Sequence, residues 1–149
     1  MVVIAQTSLQ SLDEFQEEAR TNSRLGLYAA HLIMLHDRIA TESPDSVLWA
    51  VAFGNFLGLR QLRLSARASA RQMDVLVVTK EKSAFDAYLA LGEKIFGPVL
   101  LEFGKLPSYH VWTRSDLKAA LKSDHEILRK LRDSGVTIYG APPVDLAIA

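Results

Sequence analysis

Four arginines lie close together in a part of the sequence that contains no acidic residue. They are Arg60, Arg63, Arg67 and Arg71. No aspartate or glutamate occurs between Asp45 and Asp74, and Ser65 and Ser69 each lie midway between two of the arginines. Arginine side chains and serine hydroxyls commonly bind phosphate and sugar oxygens. A local charge of about +4 therefore indicates a polyanionic ligand such as a nucleic acid.

The spacing of these residues fits two kinds of secondary structure. From Leu62 to Arg71, leucine or alanine alternates strictly with arginine or serine, which predicts a strand. The arginines from Arg60 onward also follow the i, i+3, i+7, i+11 pattern of one helical face. Either structure places Arg63, Arg67 and Arg71 on one side. On a strand, successive arginines would be about 13 Å apart with a serine about 6.6 Å from each. That interval is close to the roughly 6 to 7 Å between phosphates of an extended single strand.

Aromatic residues precede the arginines. Trp49 and Phe53 share one face of the apolar segment 47–53, if that segment is a strand. Phe56 follows at a bend or bulge that Gly54 and Gly58 are predicted to permit. Bases stack on exposed rings with little regard to sequence, which contributes about 1 to 3 kcal/mol per base. The alternative is that these rings belong to the hydrophobic core, where most large aromatic side chains lie.

Other chemistry is not indicated by the sequence. The four histidines, at positions 31, 36, 110 and 125, do not form a metal-binding motif, and the chain has no cysteine. It also lacks a Walker loop, a dinucleotide-binding glycine pattern and a Gly-x-Ser-x-Gly motif. We therefore expect no metal, no cofactor and no catalytic residue.

The pattern of apolar residues predicts helices before, between and after several strands. The first two predicted helices are 11–20, with a capping box at Ser11, and 23–41. A third runs from Ser83 to Gly97 and carries Phe85, Tyr88, Leu89 and Ile95. The last two are 116–122 and 124–133, with Ser115 and Ser123 as N-caps. The predicted strands are 47–53, 73–79, 99–103, 109–113 and 136–139. The fold class is α+β, with a four- to five-stranded sheet and about five helices.

Length and composition indicate one domain covering residues 1–149. Half of the residues are hydrophobic (49%), and 17 basic residues balance 17 acidic ones. No apolar run approaches the roughly 20 residues of a membrane span, so we expect a cytoplasmic protein without a membrane partner. Because residues 142–149 are largely apolar, we expect the natural chain to continue beyond residue 149 into a segment that could form a homodimer.

Two segments resemble the minimal nucleotidyltransferase pattern, in which one strand ends in Phe-Gly-Ser and another opens with Asp-x-Asp. They are Val51 to Asn55 and Gln72 to Val78, followed by segments 109–113 and 135–140 at the places of that family's last strands. The chain has Asn55 for the serine and Gln72 for the first aspartate, which leaves Asp74 alone. Residues 108–110 add no carboxylate. Magnesium-dependent phosphoryl transfer needs several carboxylates. A nucleotidyltransferase, or an inactive transferase-like subunit that binds a protein, is therefore the alternative and not the expectation.

The aromatic residues from Trp49 to Phe56 and the basic stretch from Arg60 to Arg71 also resemble the DNA-binding domain of the ThermoDBP family, the single-stranded DNA-binding proteins of Thermoproteales crenarchaea. The resemblance implies an archaeal, thermophilic protein of DNA replication and repair. It also implies non-catalytic, sequence-tolerant binding of single-stranded DNA, in a cleft with an apolar floor and basic edges, on a fold that is not an OB barrel. RNA remains open as a ligand. The predicted binding residues are Arg60, Arg63, Arg67, Arg71, Lys80, Lys82, Trp49, Phe53, Phe56, Ser65 and Ser69.

Overall fold

A computed structural model of the chain describes residues 9–21, 23–54, 73–80, 82–103, 108–123, 125–133 and 135–141. Its strands are β1 (Leu9–Gln10), β2 (Val47–Phe53), β3 (Asp74–Thr79), β4 (Ser108–Thr113) and β5 (Gly135–Gly140). They form one mixed sheet in the order β1-β5-β2-β3-β4. Strand β2 is antiparallel to both of its neighbours, whereas β3 and β4 are parallel, as are β1 and β5.

Helices cover both faces of this sheet. They are α1 (Leu12–Ala19), α2 (Ser23–Glu42), α3 (Ala84–Leu91), which continues through a π-helical turn (Gly92–Phe96) into α4 (Gly97–Phe103), α5 (Arg114–Ser123) and α6 (Glu126–Asp133). With residues 84–103 counted as one segment, the described part of the chain has five helical segments. The predicted α+β class with a five-stranded sheet, open and unlike an OB barrel, is confirmed. None of the described helices combines the length and the apolar character that crossing a membrane requires.

The core is divided by the sheet into two clusters. On one face, α1, α2 and the 84–103 segment bury side chains such as Phe15, Leu32 and Ile95 against Val75. On the other face, α5 and α6 contribute Ala120, Leu128 and Leu131 against the side chains of β2 and β3. Apolar residues at nearly every position of β2 and β3 are therefore explained by burial on both faces of these strands.

Local hydrogen bonds confirm several predicted helix starts. At α1, the Glu14 N–H donates to Ser11 Oγ (3.1 Å) and the Ser11 N–H donates to Glu14 Oε1 (2.9 Å), which is the predicted capping box. At α3, the Asp86 N–H donates to Ser83 Oγ (3.2 Å), as predicted. Helix α2 begins at Ser23 and extends one residue past the predicted end, to Glu42.

The prediction for residues 84–103 is partly wrong. The helix does not end at Gly97, and residues 99–103 are helical and not a strand. In the π-helical turn the Gly97 N–H donates to the Gly92 carbonyl five residues earlier, so the chain remains helical and Pro98 lies in the first turn of α4, where its missing N–H costs little. Of the apolar residues that the predicted helix carries, Phe85, Tyr88 and Leu89 are exposed and Ile95 is buried.

The predicted caps of the last two helices are wrong. Helix α5 begins earlier than predicted because Thr113 caps it: the Asp116 N–H donates to Thr113 Oγ1 (3.2 Å), and the Thr113 N–H donates to Asp116 Oδ2 (3.0 Å). Ser115 lies inside this helix. At α6 the cap is His125, whose Nδ1 accepts from the Ile127 N–H (3.1 Å). Ser123 instead closes α5, since its hydroxyl donates to the Ala120 carbonyl (3.3 Å).

Candidate functional site

Three strand ends meet at one edge of the sheet. Because β2 is antiparallel to β3, its last residue, Phe53, pairs with the first residue of β3, Asp74. Because β3 and β4 are parallel, Asp74 also lies beside Ser108, the first residue of β4. We call this set of strand ends, with the adjoining Gly54 and His110, the strand-end edge. It is the place in the fold where the two halves of the nucleotidyltransferase-like pattern come together.

Phe53, Asp74 and His110 point to the same face of the sheet, since they occupy alternate positions in register on neighbouring strands. Asp74 Oδ1 lies 3.5 Å from His110 Nε2, and the two side chains are 20% and 34% exposed. The Phe53 ring is stacked against the imidazole, with 6.4 Å between ring centroids. The edge thus presents a partly shielded carboxylate and an imidazole within reach of solvent.

Gly54 explains how the chain leaves the sheet at this edge. Its φ of 118° lies in the region that residues with a Cβ rarely adopt. The bend predicted after β2 therefore rests on Gly54. Gly58, predicted to share that role, lies outside the described residues. Gly54 and Met73, which flank residues 55–72 in the sequence, adjoin the paired residues Phe53 and Asp74.

Only some of the predicted binding residues lie where the structure describes them. Seven fall outside the described residues: Phe56, Arg60, Arg63, Ser65, Arg67, Ser69 and Arg71. Trp49 and Phe53 are 4% and 1% exposed and belong to the core under α5 and α6. The alternative in which these two rings are core residues is therefore the one that the structure shows, and bases cannot stack on them in this conformation.

Lys80 and Lys82 do not lie near the strand-end edge. Both are exposed, but they follow the far end of β3. The Lys80 N–H donates to the Ser46 carbonyl (3.1 Å), which fixes it at the end of the sheet where β2 begins. Six residues of strand separate Lys80 from Asp74 by about 20 Å. Lys80 and Lys82 therefore lie at the opposite end of β3 from the residues that flank the arginine segment.

A second pair of polar side chains lies on the opposite face of the sheet. His31 of α2, which is 3% exposed, is hydrogen-bonded through Nε2 to the Tyr109 hydroxyl at 2.9 Å. Tyr109 is stacked on Phe96 of the π-helical turn, with 4.0 Å between centroids and 4° between planes. Desolvation by burial lowers the pKa of His31 to about 4. Burial, with a smaller contribution from Tyr88, raises the pKa of Tyr109. This neutral pair, with His31 buried and Tyr109 half-buried, connects β4 to α2.

Among the described residues, no group of three or more His, Asp or Glu side chains is placed to bind a metal ion. Asp74 is the one carboxylate at the strand-end edge among the described residues, while Asn55 and Gln72 lie outside them. His110 was missed as a neighbour of Asp74 because 36 positions separate the two in sequence. The only signal for it was that each residue lies at or near the start of a predicted strand.

Comparisons of the chain with models of protein families, with characterised proteins and with solved structures find no match.

Proposed function

We propose that this domain binds single-stranded nucleic acid, DNA in the first place, without catalysing a reaction, and that it does so in the cytoplasm. One observation carries the proposal. Phe53 and Asp74 are paired residues, so residues 55–72 are attached to the strand-end edge at both of their ends. That segment holds four arginines and no acidic residue.

The attachment concentrates positive charge at one place. Directly opposed residues on neighbouring strands have Cβ atoms about 5 Å apart, so the segment leaves and rejoins the sheet within one strand spacing. A chain of this length that must return can reach at most about 30 Å from its anchors. The segment that contains Arg60, Arg63, Arg67 and Arg71 is therefore tethered to the strand-end edge at both of its ends. Lys80 and Lys82 contribute less, because they belong to the other end of β3.

The ligand class follows from the chemistry of the segment. Four guanidinium groups and two serine hydroxyls match the sugar-phosphate backbone, and the contacts they make do not depend on base sequence. With Trp49 and Phe53 buried, stacking is assigned to Phe56 alone, and affinity comes chiefly from phosphate contacts. This is the activity that the resemblance to the ThermoDBP family implies, with a smaller aromatic contribution.

Binding of a labelled oligo-dT, measured by fluorescence anisotropy over a range of salt concentrations, tests the proposal. We expect affinity to fall steeply with salt. Changing Arg63, Arg67 and Arg71 together to alanine should reduce the slope of log K against log salt by about 2, or about 0.7 for each lost phosphate contact. The matched control changes three exposed basic residues elsewhere, Arg20, Arg114 and Lys118, to alanine. Equal slopes for the two triple variants would rule out the arginine segment as the binding element.

A second function, nucleotidyl transfer, is favoured by one observation. The strand ending in Phe53-Gly54 and the strand opening at Asp74 lie side by side, as the resemblance to that family requires. Against it stands the single carboxylate at the described part of the edge, next to an imidazole. Magnesium-dependent incorporation of a labelled nucleotide that is lost in Asp74→Asn would establish this function. Oligonucleotide binding without any incorporation would support the binding function instead.

A further inference from the structure

A groove of about 480 Å³ lies beside the end of β4, where α5 and the residue before α6 meet the strand. Its lining includes Trp112, Asp116, Ala119, Ser123 and His125. None of these five residues is among the predicted nucleic-acid-binding residues. A concave site of this size, lined by apolar side chains with a few polar atoms, is typical of sites that take a small organic group.

Two aromatic rings form a corner in this groove. Trp112 is partly exposed, and its indole lies edge-to-face with the His125 imidazole, with 5.3 Å between centroids and 73° between planes. A third flat ring that enters such a corner can stack on one ring while its edge meets the other. The groove therefore fits a planar heterocycle better than a flexible aliphatic group.

The polar atoms of the groove suit the edge of a nucleobase. His125 Nδ1 accepts from the Ile127 N–H, so the neutral imidazole carries its proton on Nε2, which is then a hydrogen-bond donor. Asp116 accepts from the Thr113 N–H through Oδ2, and its carboxylate has further lone pairs for a ligand. Adenine, guanine and cytosine each carry acceptor atoms for the imidazole and an amino group for the carboxylate, whereas thymine has no amino group.

Charge decides which part of a nucleotide enters the groove. The Asp116 carboxylate in the lining repels a phosphate. Lys118 and Lys122 are exposed on α5, each one position before a residue of the lining. Lysines at such places commonly hold phosphates of a backbone. The arrangement thus favours a base inside the groove and its phosphates at the rim.

Strand register sets the distance from the groove to the arginine segment. Trp112 lies four residues after Ser108, the β4 residue that pairs with Asp74 at the strand-end edge. Four residues of strand span about 13 Å. Successive phosphates of an extended single strand are roughly 6 to 7 Å apart, so two or three nucleotides cover that distance. A short oligonucleotide can therefore contact the edge and the groove together, and a free nucleoside cannot.

We propose that the groove binds one nucleobase that carries an amino group, and that this base belongs to the strand whose phosphates the arginine segment holds. The source of the base rests on the proposed function, whereas the fit of the groove does not. Trp112 adds a stacking ring to Phe56, the one predicted ring that the core does not claim. The domain then contacts bases as well as phosphates.

Tryptophan fluorescence tests the inference, because the chain has two tryptophans and Trp49 is only 4% exposed. The probes are octamers of deoxyadenosine and of thymidine, an abasic octamer with the same phosphates, and free deoxyadenosine. We expect the deoxyadenosine octamer to quench the fluorescence of the wild-type chain and of Trp49→Phe, but not that of Trp112→Phe. It should bind about fivefold or more tightly than the abasic octamer, since one base is stacked.

Variants of the groove separate its contacts from those of the arginines. Ala119→Leu fills the groove and should reduce the affinity for the deoxyadenosine octamer to that for the abasic one, whereas Ser115→Leu, exposed on the same helix and not in the lining, should leave both affinities unchanged. Asp116→Asn keeps an oxygen for the Thr113 N–H but presents an NH₂ group to the ligand. It should abolish the preference for deoxyadenosine over thymidine, expected to be about threefold or more in the wild type.

Anisotropy of the labelled octamers reports the proposed function separately. If the octamers bind but none quenches Trp112, the groove does not hold a base, and the inference is overturned while the binding function stands. If no octamer binds but free deoxyadenosine quenches Trp112, the groove is supported as a base site, and both the strand as its source and the binding function are refuted. Absence of quenching by every probe would overturn the inference entirely.

Discussion

The buried His31 should make the domain lose stability in mild acid. In the folded protein burial lowers the pKa of His31 from 6.5 to about 4. Between these two values the unfolded chain binds a proton that the folded chain does not, so the free energy of unfolding falls as pH falls. With 1.36 kcal/mol for each pKa unit, the loss from this group is about 2 kcal/mol at pH 5 and about 3 kcal/mol at pH 4, relative to pH 7.

Urea unfolding at pH 7, 5 and 4 measures this effect, and a non-titrating variant isolates it from the carboxylates that also titrate in this range. His31→Gln keeps a polar group near the Tyr109 hydroxyl, and its stability should fall less with acid than that of the wild type by the amounts given above. His36→Gln is the control, because His36 lies on the same helix with its side chain 41% exposed, and it should follow the wild type. If the wild type and His31→Gln lose stability in parallel, His31 is not held neutral by burial.

Three further predictions concern the fold. Gly140→Ala should destabilise the domain by more than about 2 kcal/mol in urea unfolding, since the φ of Gly140 is +72° and a Cβ would collide with the Leu48 carbonyl. Gly26→Ala in α2, where a Cβ meets nothing within 4 Å, should instead stabilise it by about 0.5 to 1 kcal/mol. Thr113→Val should lower the free energy of unfolding by about 1 kcal/mol, because it removes the α5 cap, whereas Ser115→Ala should leave it almost unchanged. A larger loss for Ser115→Ala than for Thr113→Val would mean that Ser115 is the cap, as the sequence predicts. Tyr109→Phe should lower the free energy of unfolding by about 1 to 2 kcal/mol, because it removes one hydrogen-bond partner of a buried imidazole. An unchanged urea midpoint would mean that the 2.9 Å contact does not contribute to stability.

Elements that are specified by local signals could be predicted from the sequence. The strand 47–53 has the predicted bounds, and α1 begins at the predicted capping box, because a continuous apolar run and a Ser-x-x-Glu pattern each act within a few residues. Residues 84–103 could not be predicted, since Gly97 and Pro98 ordinarily end a helix and only the π-helical turn carries the chain past them. Phe85 and Leu89 are apolar, yet the face of α3 on which they lie is turned to solvent, which the apolar pattern alone does not indicate.

The candidate site depends on strand register, which is why sequence reasoning recovered only part of it. Asp74 was recognised as the remaining carboxylate, but its neighbour His110 comes from a strand 36 positions away. The parallel pairing of β3 with β4 brings the two within 3.5 Å, and a shift by one residue would move the imidazole to the other face. The same dependence explains the error for Trp49 and Phe53: their common face could be read from the sequence, but the helices that cover that face could not.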